Sequence, residues 1–223
     1  MFEITLNLFG KELIIPETIV NTYIVALILI IFAIVVNRKI KKMNPDDIPS
    51  GLLNVVEVAV ELVQTLVKQN MGEKQIWFTP YIFTLASFLL VSNLFGLLGF
   101  TPPTSDYNVT LSLALITFTL TQFYGIKNNG IGGYLKGFLE PLPFLLPLNI
   151  LGEVANPISL SFRLFGNILS GVIIMSLIYN ALGLVAPLIT PVLHAYFDVF
   201  SGILQTFIFS MLTMIFIGGT FDN

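Results

Sequence analysis

The chain has 223 residues, 55% of them hydrophobic and 10% charged, and its mean hydropathy is +0.89. Soluble domains are about a quarter charged, so this composition cannot cover a water-facing surface and points to a chain built for lipid. The lack of cysteine and the single histidine, His194, exclude disulfide scaffolds, Fe–S centres and bis-histidine haem and disfavour zinc, while a net charge of −3 is too small to imply a nucleic-acid partner.

A helix crosses a hydrocarbon core of about 30 Å with roughly 20 apolar residues, and five stretches are predicted to do so. The first covers residues 18–37, between Glu17 and the basic cluster Arg38, Lys39, Lys41 and Lys42. Basic residues follow this run instead of preceding it, so it is expected to stay as an anchor and not to be cleaved. The loop Asn44-Pro45-Asp46-Asp47-Ile48-Pro49-Ser50 then breaks the helix. Residues 52–68 place Glu57, Glu61 and Gln64 at i, i+4 and i+7, a polar stripe on an otherwise apolar helix. That segment is too charged to cross and is expected to lie at the membrane surface.

Residues 76–100 form the second predicted span, with Trp77 and Tyr81 placed for an interfacial belt and Thr101-Pro102-Pro103 ending it. The third covers 108–126 and closes at Lys127-Asn128-Asn129-Gly130. Residues 143–179 stay helical in pattern despite Pro147 and Pro157, and would reach about 55 Å if straight. After a turn, residues 191–219 would reach about 45 Å. Neither length suits an upright crossing, so a hairpin of two long, tilted helices is expected. The predicted fold is thus all-α: a single polytopic transmembrane domain of five spans plus one surface amphipathic helix. With the first basic cluster cytoplasmic, Lys68, Lys74, Lys127 and Lys136 fall on the same side. The N-terminus is then outside and the C-terminus cytoplasmic.

Three ionisable side chains lie inside the last two spans: Glu153, Arg163 and Asp198. An arginine at the centre of a spanning helix costs about 2.5–3.5 kcal/mol on insertion scales, so it is expected to face a partner or a water-filled path. Ser159, Arg163, Gly166, Asn167 and Ser170 recur on one helical face, and His194, Asp198, Gly202 and Gln205 on one face of the next helix. Two such stripes facing each other could line an aqueous path. The alternative is a static polar network holding the hairpin together, although polar pairs in membranes average only about 0.6 kcal/mol.

The stretch Asn156-Pro157-Ile158-Ser159-Leu160-Ser161-Phe162-Arg163-Leu164-Phe165-Gly166-Asn167 closely resembles the signature of subunit a of F-type ATP synthases. Leu204-Gln205-Thr206-Phe207-Ile208-Phe209 resembles that family's second signature, and the resemblance covers nearly the whole chain. It implies an ion-translocating stator subunit of the bacterial cell membrane, with the c-ring, the b subunits of the peripheral stalk and the lipid bilayer as partners. It also implies H⁺ or Na⁺ as the translocated ion, no cofactor, and ATP chemistry confined to other subunits. In this family Arg163 would face the c-ring carboxylate between two half-channels, Gln205 would neighbour it, and Asn167 would line a half-channel. Asp198 would stand where relatives carry a histidine or carboxylate that passes protons. Many members place a second ionisable residue just beyond Asn167, where this chain has Ser170-Gly171-Val172, leaving water, His194 or Glu153 as partners for Asp198.

Two other classes were weighed. An intramembrane protease would need a base beside its nucleophile, but His194 and Ser201 are seven residues apart on one helix, about 10 Å along it. A secondary transporter could use Arg163 for an anion, but no internal repeat or broken half-helix is evident in the sequence. A phosphate-binding loop of the Gly-rich Lys-Ser/Thr kind is absent from the sequence as well.

Overall fold

A computed structural model describes residues 4–8, 11–44, 49 and 51–221. It begins with an antiparallel hairpin of β1 (Ile4–Leu8) and β2 (Lys11–Ile15), in which Ile4 pairs with Ile15 and Leu8 with Lys11. The rest is helical: α1 (Glu17–Ile40), α2 (Leu52–Met71), α3 (Thr79–Leu94), α4 (Tyr107–Gly137), α5 (Leu146–Leu182), α6 (Ala186–His194) and α7 (Ser201–Gly218). A π-helical turn, Ala195–Phe200, joins α6 to α7 without a break, so the two act as one long element. Among the described residues five helical stretches are long and apolar enough to cross a membrane: Glu17–Ile40, Glu73–Leu98, Tyr107–Gly137, Pro143–Leu182 and Ala186–Gly218. The chain is an all-α polytopic membrane protein with a small β-hairpin ahead of its first span. That hairpin went unread in the sequence.

The centre of the bundle is α3 against α7. Near one end Val63, Val67 and Met71 of α2 pack with Phe78, Ile82, Met214 and Ile217. Towards the other end Leu85, Leu89 and Phe209 meet Ala114 of α4 and Leu160, Leu164 and Ile168 of α5. Gly218 permits the first contact, because a Cβ there would stand 2.8 Å from the backbone oxygen of Asn70. α2 has three faces: Val63, Val67 and Met71 turn inward, Glu57, Glu61 and Lys68 form a polar strip, and Val55, Val58 and Leu62 remain exposed and apolar. α1 stands at the periphery with only Asn21, Val25 and Val36 buried. Thr18 Oγ1 donates to Asp106 Oδ2 at 2.7 Å and Asn21 Nδ2 to the Thr101 carbonyl at 2.9 Å, pinning α1 to the loop before α4.

Two helix boundaries shape the site. The helix of the third span breaks at Gly130, the last residue of the Lys127-Asn128-Asn129-Gly130 stretch, at φ 68° and ψ 164°, and a second helical segment runs on to Gly137. The final helix starts at Ala186 instead of 191. Pro187 sits in its first turn, where a missing N–H leaves no bond unmade, and Pro191 is carried inside the helix. Gly183, at φ 49°, begins the tight turn that folds α6 and α7 back along α5.

Candidate functional site

Leu160, Leu164, Ile168, Gly171 and Met175 of α5 are buried at helical spacing and fix the rotation of the helix. The opposite face therefore points out of the bundle, and Ser159, Arg163, Gly166, Asn167 and Ser170 are all exposed on it. Among the described residues Arg163 has no ion pair and no hydrogen bond from its side chain. Asn167 Nδ2 donates to Ser201 Oγ at 2.6 Å and ties α5 to α7 beside it. The predicted stripe on the last helix divides at this level. Gly202 turns towards α3, where a Cβ would meet Asn93 Cβ at 3.1 Å. Gln205 is buried, with its Nε2 lacking a partner, and no bond joins it to Arg163 among the described residues.

Towards the hairpin turn, His194 and Asp198 lie one helical turn apart, and the π-helical segment carries the carboxylate. His194 Nδ1 bonds Asp198 Oδ2, while His194 Nε2 bonds the hydroxyl of Tyr179 on α5 at 2.8 Å. Exposure falls along this line, from 45% for Tyr179 to 25% for the His194 side chain and 14% for that of Asp198. The Asp198 carboxylate rests against Gly96, where a Cβ would approach it at 3.5 Å. Beneath it Asn93 Nδ2 donates to the Gly202 carbonyl at 3.0 Å and to Thr206 Oγ1 at 3.1 Å, and Thr104 Oγ1 donates to Asn93 Oδ1 at 2.7 Å.

A second cluster lies ten residues before Arg163, about 15 Å along α5 in the other direction. Gln122 Nε2 of α4 donates to Glu153 Oε2 at 3.0 Å, and the Tyr134 hydroxyl donates to Gln122 Oε1. Glu153 lines a broad polar cavity with Thr121, Asn129, Lys136, Asn149 and Thr220. It also lines a narrower cleft with Thr117, Asn156 and Leu160. Arg163 thus stands on α5 between Glu153 and Tyr179, the two residues through which the helix joins these clusters.

Of the residues singled out in the sequence, the structure joins His194 to Asp198 and Asn167 to the last helix; it does not bring Glu153 near Asp198. Sequence reasoning missed Tyr179, Gln122, Tyr134, Asn93 and Thr104. Gln122 and Asn93 carried a usable signal, since amides inside apolar runs need partners. Tyr134 carried none, because its partner is reached only through the break at Gly130.

Five apolar helical stretches around a shared core, with ionisable side chains inside the last two, define a polytopic membrane protein. Residues 19–218 match the family described as ATP synthase A chain, and the chain belongs to that family. It is 37% identical to ATP synthase subunit a of Trichlorobacter lovleyi, an alignment covering 93% of this chain and 88% of that protein. ATP synthase subunit a of Geobacter sulfurreducens is 36% identical with the same coverage. ATP synthase subunit a, sodium ion specific, of Propionigenium modestum is 36% identical over 92% of this chain and 74% of that protein.

Proposed function

We propose that this chain is the ion-translocating stator subunit of a bacterial F-type ATP synthase, with Arg163 set against the carboxylate of a rotating c-ring. The observation that carries the reading is the exposed Arg163, without an ion pair among the described residues and flanked along the bundle by two polar clusters. The Tyr179–His194–Asp198 line serves a half-channel from outside, and the Glu153 cavity serves one from the cytoplasm. This orientation follows the Lys/Arg distribution, with the N-terminus outside. The b subunits of the peripheral stalk hold the chain still, and it performs no ATP chemistry itself.

The mechanism follows from charge in lipid. A c-ring carboxylate exposed to hydrocarbon is costly when ionised, so it travels neutral, protonated or bound to Na⁺. On reaching Arg163 the ionised form is favoured and the ion leaves into one half-channel. The site reloads from the other half-channel before it re-enters lipid. Arg163 also repels cations that would cross directly between the two paths. The membrane potential supplies about 2.3 kcal/mol per charge per 100 mV to each transfer. Replacing Arg163 with alanine should leave the complex assembled and abolish ATP-driven ion uptake into vesicles. Lysine should not restore it, because it lacks the planar guanidinium and loses its proton more readily when desolvated. Wild-type uptake by the assembled Arg163→Ala complex would falsify this function.

A further inference from the structure

Glu153 is the one ionisable side chain shared by the broad cavity and the narrow cleft among the described residues, so it marks the neck where they meet. Its position is not left to its own rotamers. Gln122 uses both ends of its amide: Nε2 donates to the carboxylate and Oε1 accepts from Tyr134. A carboxylate only accepts and a phenol readily donates, so the three groups interlock in a single orientation. The tyrosine is itself set by backbone shape. Beyond Gly130 the chain departs from the axis of α4, and Tyr134 lies over Gly125, where a Cβ would meet its ring carbons at 2.9 and 3.1 Å. Pro157, one turn after Glu153, has no N–H to donate to the Glu153 carbonyl, so the backbone at the neck also keeps an acceptor free of its helical bond.

We propose that Gln122 and Tyr134 are positioning residues for Glu153, holding its carboxylate in the neck so that ions pass between cavity and cleft. This rests on the reading that the Glu153 cavity is one of the two half-channels. A side-chain amide neither gains nor loses charge near neutral pH, so Gln122 holds the carboxylate and takes no part in the relay. Tyr134 acts through Gln122, and Gly125 acts through Tyr134 by leaving room for the ring.

The test is ATP-driven ion uptake by the whole complex in vesicles, following both H⁺ and Na⁺, across a pH series. Gln122→Leu should lower uptake about ten-fold or more and displace its pH profile, since a small misplacement of a working group is costly. Tyr134→Phe keeps the ring and removes the hydroxyl, and should lower uptake about three-fold to ten-fold. The double variant should be no slower than Gln122→Leu alone, because the two residues form one line. Tyr124→Phe, which removes a hydroxyl from the aromatic cluster around Phe78 and Phe221, should match wild type. If Gln122→Leu fails to assemble, Gly125→Ala carries the test, since a methyl there must push the Tyr134 ring aside and should reproduce the Tyr134→Phe defect. Wild-type rates and pH profiles in Tyr134→Phe and Gly125→Ala, or defects that multiply in the double variant, overturn the inference. Arg163→Ala is measured alongside: its survival would sink the proposed function, whereas its loss together with unaffected Gln122 and Tyr134 variants removes only the present inference.

Discussion

The two ends of the bundle are built on one plan with one difference. Each has a tyrosine, a bridging planar group and a carboxylate: Tyr179, His194 and Asp198 towards the hairpin turn, Tyr134, Gln122 and Glu153 towards the break in α4. The bridge at the first end is an imidazole, which can accept a proton at one nitrogen and release it from the other. The bridge at the second is an amide, which cannot. The first cluster is therefore suited to passing a proton and the second to fixing a carboxylate beside open water. The surroundings agree with this division. Asp198 is wedged against Gly96 with little exposure, while Glu153 borders a wide polar cavity.

Breaking the comparison starts with Asp198. Asp198→Asn should slow proton transport about a hundred-fold, within the range found for general acid–base groups, and displace its pH profile. Some flux should survive, because water can bypass a relay residue. Flux and profile equal to wild type at equal complex abundance would show that the carboxylate only braces the hairpin. Next comes His194→Gln, which makes the first end resemble the second. Uptake should fall about ten-fold or more. Uptake at the wild-type rate would place the relay elsewhere.

The reciprocal change is milder. Gln122→His introduces a titrating bridge beside Glu153, and should add a new pH dependence while altering the maximal rate only about two-fold to five-fold. The smallest effect is expected from Tyr179→Phe. Tyr179 is the most exposed member, so its loss should slow transport only about two-fold.

The spans were legible because apolar runs in a chain with 10% charge have few alternatives. Arg163 was legible for the same reason, since a charge in such a run is conspicuous. The clusters were not, because each joins side chains that the linear pattern keeps apart. Gln122 and Glu153 are 31 residues apart, and Tyr179 meets His194 only after the reversal at Gly183. Gln205 shows the other limit. Its place in the family signature suggested a neighbour of Arg163, yet in the isolated chain it faces the interior, where the register of α7 on α3 decides its direction. The segment beyond Gly130 was not legible, because a stop signal ends one helix without showing that another follows it.

In the proposed function Arg163 separates two aqueous paths that open on opposite sides of the membrane. The chain has no native cysteine, so single cysteines can be placed without removing any background. The direct measurement is labelling of Asn156→Cys and Ala195→Cys in the assembled complex with a membrane-impermeant thiol reagent applied from each side, with Lys41→Cys and Ser105→Cys as markers of the two surfaces. Positions 156 and 41 should react from the cytoplasm and positions 195 and 105 from outside. Labelling of 156 and 195 from the same side would contradict that separation.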